Sequence, residues 1–369
     1  MWRARFCHRL SPIPSGLQRN RCVFPGYLLY GFILTLLAVT SLPPVALSQT
    51  ADQYIRYWSN EWPVTDFTRH SVPFSEILHG GPPRDGIPPI DAPVFAAIPA
   101  LTDADRPSAT APVIGLVVNG EAKAYPLSVL IWHEIVNDEI GGVPVCVTFC
   151  PLCNAAIVFD RRLGDRVLDF GTTGKLRHSD LIMWDRQTES WWQQFTGEAI
   201  VGALTGQRLR MLPARLESFE RFAARLPDGT VLLPDRASSR RYGRNPYDGY
   251  DSSARPFLFR GKIPDEVPPL MRVVTLGPRG AWSLALLRAR REVTLQDGTV
   301  IRWAPGQASA LDNAEIDLGR DVGNITVTRT TPDGTEDVLH GVDFAFAYRA
   351  FYPDAPIHHV PDAANTAAD

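Results

Sequence analysis

The sequence predicts a β-rich α+β fold, dominated by hairpins and holding few short helices. Three observations carry this. Apolar or β-branched runs of strand length recur along the chain, two-residue turn signals such as Asn119-Gly120 separate them, and only two segments show a helical period. Glycine and proline, 28 and 32 of 369 residues, are spread along the chain instead of gathered in a tail, as many turns require. With 45% hydrophobic and 21% charged residues the composition is that of a globular protein, which excludes disordered and fibrous classes.

Residues 1–48 read as an export signal outside the fold. Arg3, Arg5, Arg9, Arg19 and Arg21, with no acidic residue among them, precede the apolar run from Tyr27 to Leu42, and Pro43-Pro44 and Ala46-Leu47-Ser48 complete a cleavage pattern. That run is about 16 residues, short of the ~20 that a spanning helix needs, which favours cleavage near Ser48 over an anchor formed by residues 27–47. In either case the arginines stay inside, so the remainder is expected to be periplasmic or otherwise extracytoplasmic. Cleavage removes five of the 37 cationic residues and none of the 40 acidic ones, leaving a net charge of −8. An acidic exported chain with no polybasic run is expected to bind no nucleic acid, and to meet the membrane only through an uncleaved N-terminal segment. Cys7 and Cys22 leave with the signal. Cys146, Cys150 and Cys153 remain, an odd number in an oxidising compartment, so at least one thiol is unpaired or bound to something.

Residues 49–112 are rich in proline and short on period, and are expected to wrap the fold with little regular structure. A first half, residues 113–260, opens with the hairpin Val113 to Tyr125 around Asn119-Gly120; a short helix follows Pro126, carrying Leu127, Leu130, Ile131, Glu134 and Ile135 at helical spacing until Asn137-Asp138. Strands are then expected over Val143 to Phe149, Ala155 to Phe159, Val167 to Phe170, Leu181 to Trp184 and Trp191 to Phe195. A second helix is expected over Arg215 to Leu226. Asp-Gly-Thr at Asp228, Asp297 and Asp333 marks hairpin tips. The second half, residues 261–369, has no cysteine. Gly120-x3-Ala124-Tyr125-Pro126-Leu127-x2-Leu130 shares its spacing with Gly277-x3-Ala281-Trp282-Ser283-Leu284-x2-Leu287, which suggests a duplicated strand-turn-strand-helix unit.

The chemistry concentrates at Cys150-Pro151-Leu152-Cys153, a tight turn between two strands. Two thiolates three residues apart can hold one metal ion, zinc or copper, or act as a redox dithiol, and Asn154 can take the left-handed conformation that follows such a turn. The same pair can close as a structural disulfide. Cys146, four strand residues from Cys150 at ~3.3 Å each, is out of reach and reads as a small buried hydrophobe. A further ligand must come from elsewhere, with His133 the leading candidate ahead of His178 and Met183. Trp192 and Gln194 lie in a segment whose aromatic walls and amides suit a ligand pocket. The loop with Tyr242, Arg244, Asn245 and Tyr247 offers directional hydrogen bonds and is long enough to be functional. No dinucleotide fingerprint, phosphate loop, nucleophile elbow or His-Glu-x-x-His helix is present, so no nucleotide cofactor is expected and turnover is left open.

The residues also resemble a known family. Ala124-Tyr-Pro-Leu127, Trp132-His-Glu-Ile-Val-Asn-Asp138, Gly141-Gly-Val-Pro144, Cys150-Pro-Leu-Cys153, Ser179-Asp180, Asp185-Arg186 with Trp192 and Gln194, Tyr242-Gly-Arg-Asn-Pro-Tyr247 and Phe351-Tyr-Pro353 are similar to an export-targeted bacterial family known as domain of unknown function 3179. The resemblance covers roughly residues 75–355 and implies no assigned activity. It implies glycine where this chain has Asn154, and a non-cysteine residue at Cys146, which favours the pair over a triad. Two readings follow from the residues: a Cys150/Cys153 metal or redox site, or a non-enzymatic binding or structural envelope protein stapled by a Cys150-Cys153 disulfide.

Overall fold

The structure, a computed structural model, describes residues 53–360. The expected export segment, residues 1–48, lies outside the described residues, and no helix among those described is long and apolar enough to cross a membrane. Among the described residues strand accounts for 37% and helix for 15%, the balance that the turn chemistry predicts.

The N-terminal wrap contributes two three-residue strands, β1 (Ile77–His79) and β2 (Phe95–Ala97). Asn119 and Gly120 both have positive φ, 49° and 84°, and fold β3 (Pro112–Val118) onto β4 (Glu121–Pro126) as the two-residue hairpin expected. The helix expected after Pro126 is shorter than its spacing implied. Only Leu127–Leu130 forms it (α1), and Ile135–Ile140 is a strand, β5, paired along its length with β6 (Val143–Cys150). The cause is Gly141-Gly142: both residues take positive φ, 56° and 73°, which makes them a hairpin turn where a helix stop was expected. Beyond the cysteine turn, β7 (Ala155–Asp160) pairs back on β6, and a small hairpin of β8 (Arg162–Leu163) and β9 (Arg166–Val167) follows. The run expected from Val167 to Phe170 thus divides, and Phe170 opens the long strand β10 (Phe170–Arg177).

β11 (Asp180–Asp185), β12 (Trp191–Gln193) and β13 (Glu198–Val201) continue as a meander, and β14 (Arg210–Leu212) joins β7. The helix expected over Arg215 to Leu226 begins late. Arg215–Ser218 is a strand, β15, laid against β3, and only Phe219–Arg225 is helical (α2). Leu216 packs in the core from the strand, so its helical distance from Phe219 is coincidental. β16 (Thr230–Leu232) follows, and Asp228-Gly229 therefore joins a helix to a strand instead of capping a hairpin. The remainder is β17 (Arg272–Thr275), β18 (Ala281–Ser283), α3 (Leu284–Arg290), β19 (Glu292–Thr294), β20 (Thr299–Ala304), β21 (Asn324–Thr331), β22 (Gly334–Asp337), β23 (Gly341–Phe344), α4 (Ala345–Phe351) and β24 (Ile357–His358). Here Asp297-Gly298 and Asp333-Gly334 do turn hairpins, β19 to β20 and β21 to β22.

Five sheets of four or five strands result, standing as blades of a propeller-like ring around one shared core. Two stretches use the same order of elements. In each, a hairpin (β3-β4, β17-β18) runs into a short helix (α1, α3), then a three-strand meander (β5-β6-β7, β19-β20-β21). Later, a strand-helix-strand passage (β15-α2-β16, β23-α4-β24) returns to the hairpin's sheet. The registers agree as well. Glu217 lies opposite Val113 and Val231 opposite Ala124, while Asp343 lies opposite Val273 and Ile357 opposite Ala281. The sheet β1-β10-β11-β12-β13 sits inside the first stretch alone, and it supplies the third side of the cysteine turn.

Candidate metal centre

Two hairpin corners meet at the centre. The first is Cys150 to Asn154 between β6 and β7. Cys153 N–H donates to the Cys150 carbonyl at 3.3 Å, Asn154 N–H donates to Pro151 at 3.2 Å, and Asn154 takes φ 52°, the left-handed conformation expected of it. The second is His178-Ser179 between β10 and β11, with φ 55° and 66°. The corners face each other, so that Cys150 Sγ donates to the Ser179 carbonyl at 3.6 Å and Cys153 Sγ to that of His178 at 4.0 Å. Asp180, first residue of β11, completes the group. One carboxylate oxygen and both sulfurs lie within 4.8 Å of one another, and all three residues are buried. Both thiols are free, as is Cys146.

Other elements fix the turn in place. The Leu152 carbonyl accepts from Tyr250 Oη at 3.0 Å, the Cys153 carbonyl from Phe344 N–H at 2.9 Å, and Asn154 Nδ2 donates to Val342 at 2.6 Å. Asn154 Oδ1 receives Arg272 Nη2 at 3.4 Å, and Arg272 is itself buried in an ion pair with Asp251 at 2.7 Å. Asp180 Oδ2 accepts from Gln193 Nε2 at 2.6 Å and from Phe195 N–H at 2.9 Å, whereas Oδ1 has no partner. Burial pushes the Asp180 carboxyl up to about 7, against partial relief from those hydrogen bonds. Burial also raises both thiols. Without a cation, burial therefore disfavours the charged form of all three groups.

His133 does not reach the cysteines. Its Nδ1 bonds the Pro88 carbonyl at 2.8 Å, its Nε2 the Tyr242 hydroxyl at 2.7 Å, and its ring stacks on Tyr242. Its neighbour Glu134 faces the centre instead. Glu134 has φ 60°, its carboxyl is buried and pushed up to about 8 by that burial, and it lines a cavity of about 460 Å³ together with Cys150 and Tyr247. His178 supplies its carbonyl while its ring packs edge-on to Phe351, and Met183 is buried opposite Trp192 in β11. Trp192 Nε1 donates to Asp185 at 2.9 Å; Gln194 Nε2 donates to Thr148 Oγ1 at 2.8 Å and to the carbonyl of Ala155, the strand partner of Cys150. Both are buried supports behind the site. Within the loop, Arg244 pairs with Glu315 at 2.6 Å and Asn245 bonds the backbone of Asn313 and Ala314, so only Tyr247 reaches the cavity. Cys146 is buried in mid-β6 opposite Asn137 and Phe159.

Fold and site define a β-rich protein with a buried dithiol-carboxylate centre. The chain belongs to the family described as "Protein of unknown function (DUF3179)", whose model matches residues 84–355. No curated protein and no solved structure matches it.

Proposed function

We propose that this is an exported protein that binds one transition-metal ion, zinc or copper, through Cys150, Cys153 and Asp180. The observation that carries the reading is the approach of two sulfurs and a carboxylate oxygen to within 4.8 Å, contributed by two corners remote in sequence. Two thiolates and a carboxylate are a donor set that zinc accepts in tetrahedral geometry with one position left over. The balance of hydrogen bonding points the same way. Asp180 Oδ1 is a buried acceptor with no donor, and a cation bound beside it would relieve it. Cobalt(II) is the test. Added to the reduced full-length chain, it should produce intense sulfur-to-cobalt absorption near the ultraviolet edge, lost in Cys150→Ser and in Cys153→Ser. A colourless protein whose two thiols oxidise to a disulfide on exposure to air would favour the stapled binding protein.

We also infer that the two stretches with matching element order arose by duplication. Residues 215–231 and 341–357 align without a gap, with Pro227-Asp228 falling on Pro353-Asp354. Only the first copy carries the cysteine turn and the added sheet that closes over it, so metal chemistry would be a later acquisition of one half.

A further inference from the structure

The cavity beside the centre has a chemistry of its own. Its volume, about 460 Å³, is that of a small-molecule site, and its walls are largely apolar, with Ile87, Leu176, Leu181, Phe257 and Leu258 among them. Its polar side chains are Glu134, Cys150, Thr172, Lys175 and Tyr247, of which Thr172 spends its hydroxyl on the Ile87 carbonyl at 2.8 Å. The Glu134 carboxyl accepts no hydrogen bond among the described residues, and the Tyr247 hydroxyl makes none. Glu134 is also held at φ 60°, a conformation unfavourable for a non-glycine residue. The Phe149 N–H on its carbonyl and the anchoring of His133 by Pro88 and Tyr242 keep it there. Strain that the surroundings enforce, at a residue whose side chain is left unengaged, is a pattern of binding sites. The one lining cation, Lys175, is committed: its ammonium bonds Glu61 at 2.9 Å and the Thr173 carbonyl. An anionic substrate would thus find no free positive side chain there.

We propose that this cavity is the substrate pocket of the metal centre, and that it takes a small uncharged organic molecule with an apolar body. The polar end of that molecule offers an oxygen to the metal and an N–H or O–H to the carbonyl oxygen of the Glu134 carboxyl, with the Tyr247 hydroxyl free to donate to it. This rests on the metal reading above. The metal contributes an electrophile at the Cys150 side of the cavity; Glu134 and Tyr247 orient the polar end; the aliphatic and aromatic walls select the body.

The test uses the cobalt-loaded full-length chain and two neutral amides of equal metal-binding head and unequal body, acetamide and benzamide, titrated by the change in the cobalt spectrum. Benzamide should bind at least tenfold more tightly. Leu258→Trp, at the exposed mouth of the cavity, should erase most of that ratio without changing cobalt content. Glu134→Gln, close in shape, should weaken both probes about equally, by severalfold. Equal binding of the two probes, or a ratio unmoved by Leu258→Trp, would overturn the pocket while leaving the metal centre standing. Failure of the wild type to take up cobalt would overturn both.

Discussion

Asp180 has one carboxylate oxygen held by Gln193 and the Phe195 N–H and another with no partner, and its carboxylate groups with the two sulfurs within 4.8 Å. Replacing it by asparagine keeps the shape and removes an anionic ligand. Asp180→Asn should therefore weaken zinc binding by at least tenfold, measured by competition with a chromophoric chelator, while the metal-free protein melts no lower than wild type. Loss of fold in the metal-free variant would show that Asp180 is structural instead. The sequence pointed to the cysteines because two thiols in a tight turn are a local pattern. Asp180 entered only through the family resemblance, with no role as a ligand, since a carboxylate opening a strand carries no period and its approach to the cysteines depends on how two hairpins pack. His133 and Glu134 illustrate the same limit. They are adjacent, and the positive φ at Glu134 decides which of them faces the cavity.

At the scale of elements, the corners were legible wherever turn chemistry is local. Asn119-Gly120, Asn154 and two of the three Asp-Gly turns behave as their residue types dictate. Helix length was not legible, because strand pairing across the sheet overrode helical spacing at Ile135 and at Arg215. Gly174 shows how an element shapes the site. It sits at the irregularity in the pairing of β10 with β11, has φ 67°, and lines the cavity; a Cβ there would overlap the Pro82 carbonyl oxygen. Gly174→Ala should cost about 2 kcal/mol or more in urea unfolding, from backbone strain and that overlap together. The buried Arg272–Asp251 pair holds Asn154 from behind, and Arg272→Met, which leaves Asp251 to Arg320 and Ser309 alone, should cost roughly 1–3 kcal/mol. A loss below 1 kcal/mol in either variant would contradict the packing described.

The whole molecule buries carboxyls that hold their protons far above the usual range: Glu134 to about 8 and Asp343 to about 7, both through burial. In the metal-free protein these groups stay protonated after the unfolded chain has ionised. Their stability contribution is thus fully present below about pH 4 and is lost as pH rises toward 7 to 8, at up to ~1.4 kcal/mol per pH unit for each group. The urea midpoint of the metal-free protein should fall between pH 5 and 8, and Asp343→Asn should flatten that fall; a midpoint constant with pH would refute it. Metal binding runs the other way, because the thiols must lose their protons to bind, so stabilisation by zinc should grow over the same range.

Elemental analysis of the full-length protein, purified from its own compartment beside Cys150→Ser and Cys153→Ser, addresses the centre most directly. The proposed metal centre predicts about one zinc or copper per wild-type chain and less than a tenth of that in each variant, since removing either sulfur leaves a single thiolate and one carboxylate. Equal and negligible metal in all three proteins, with the wild-type pair oxidised, would contradict the metal centre.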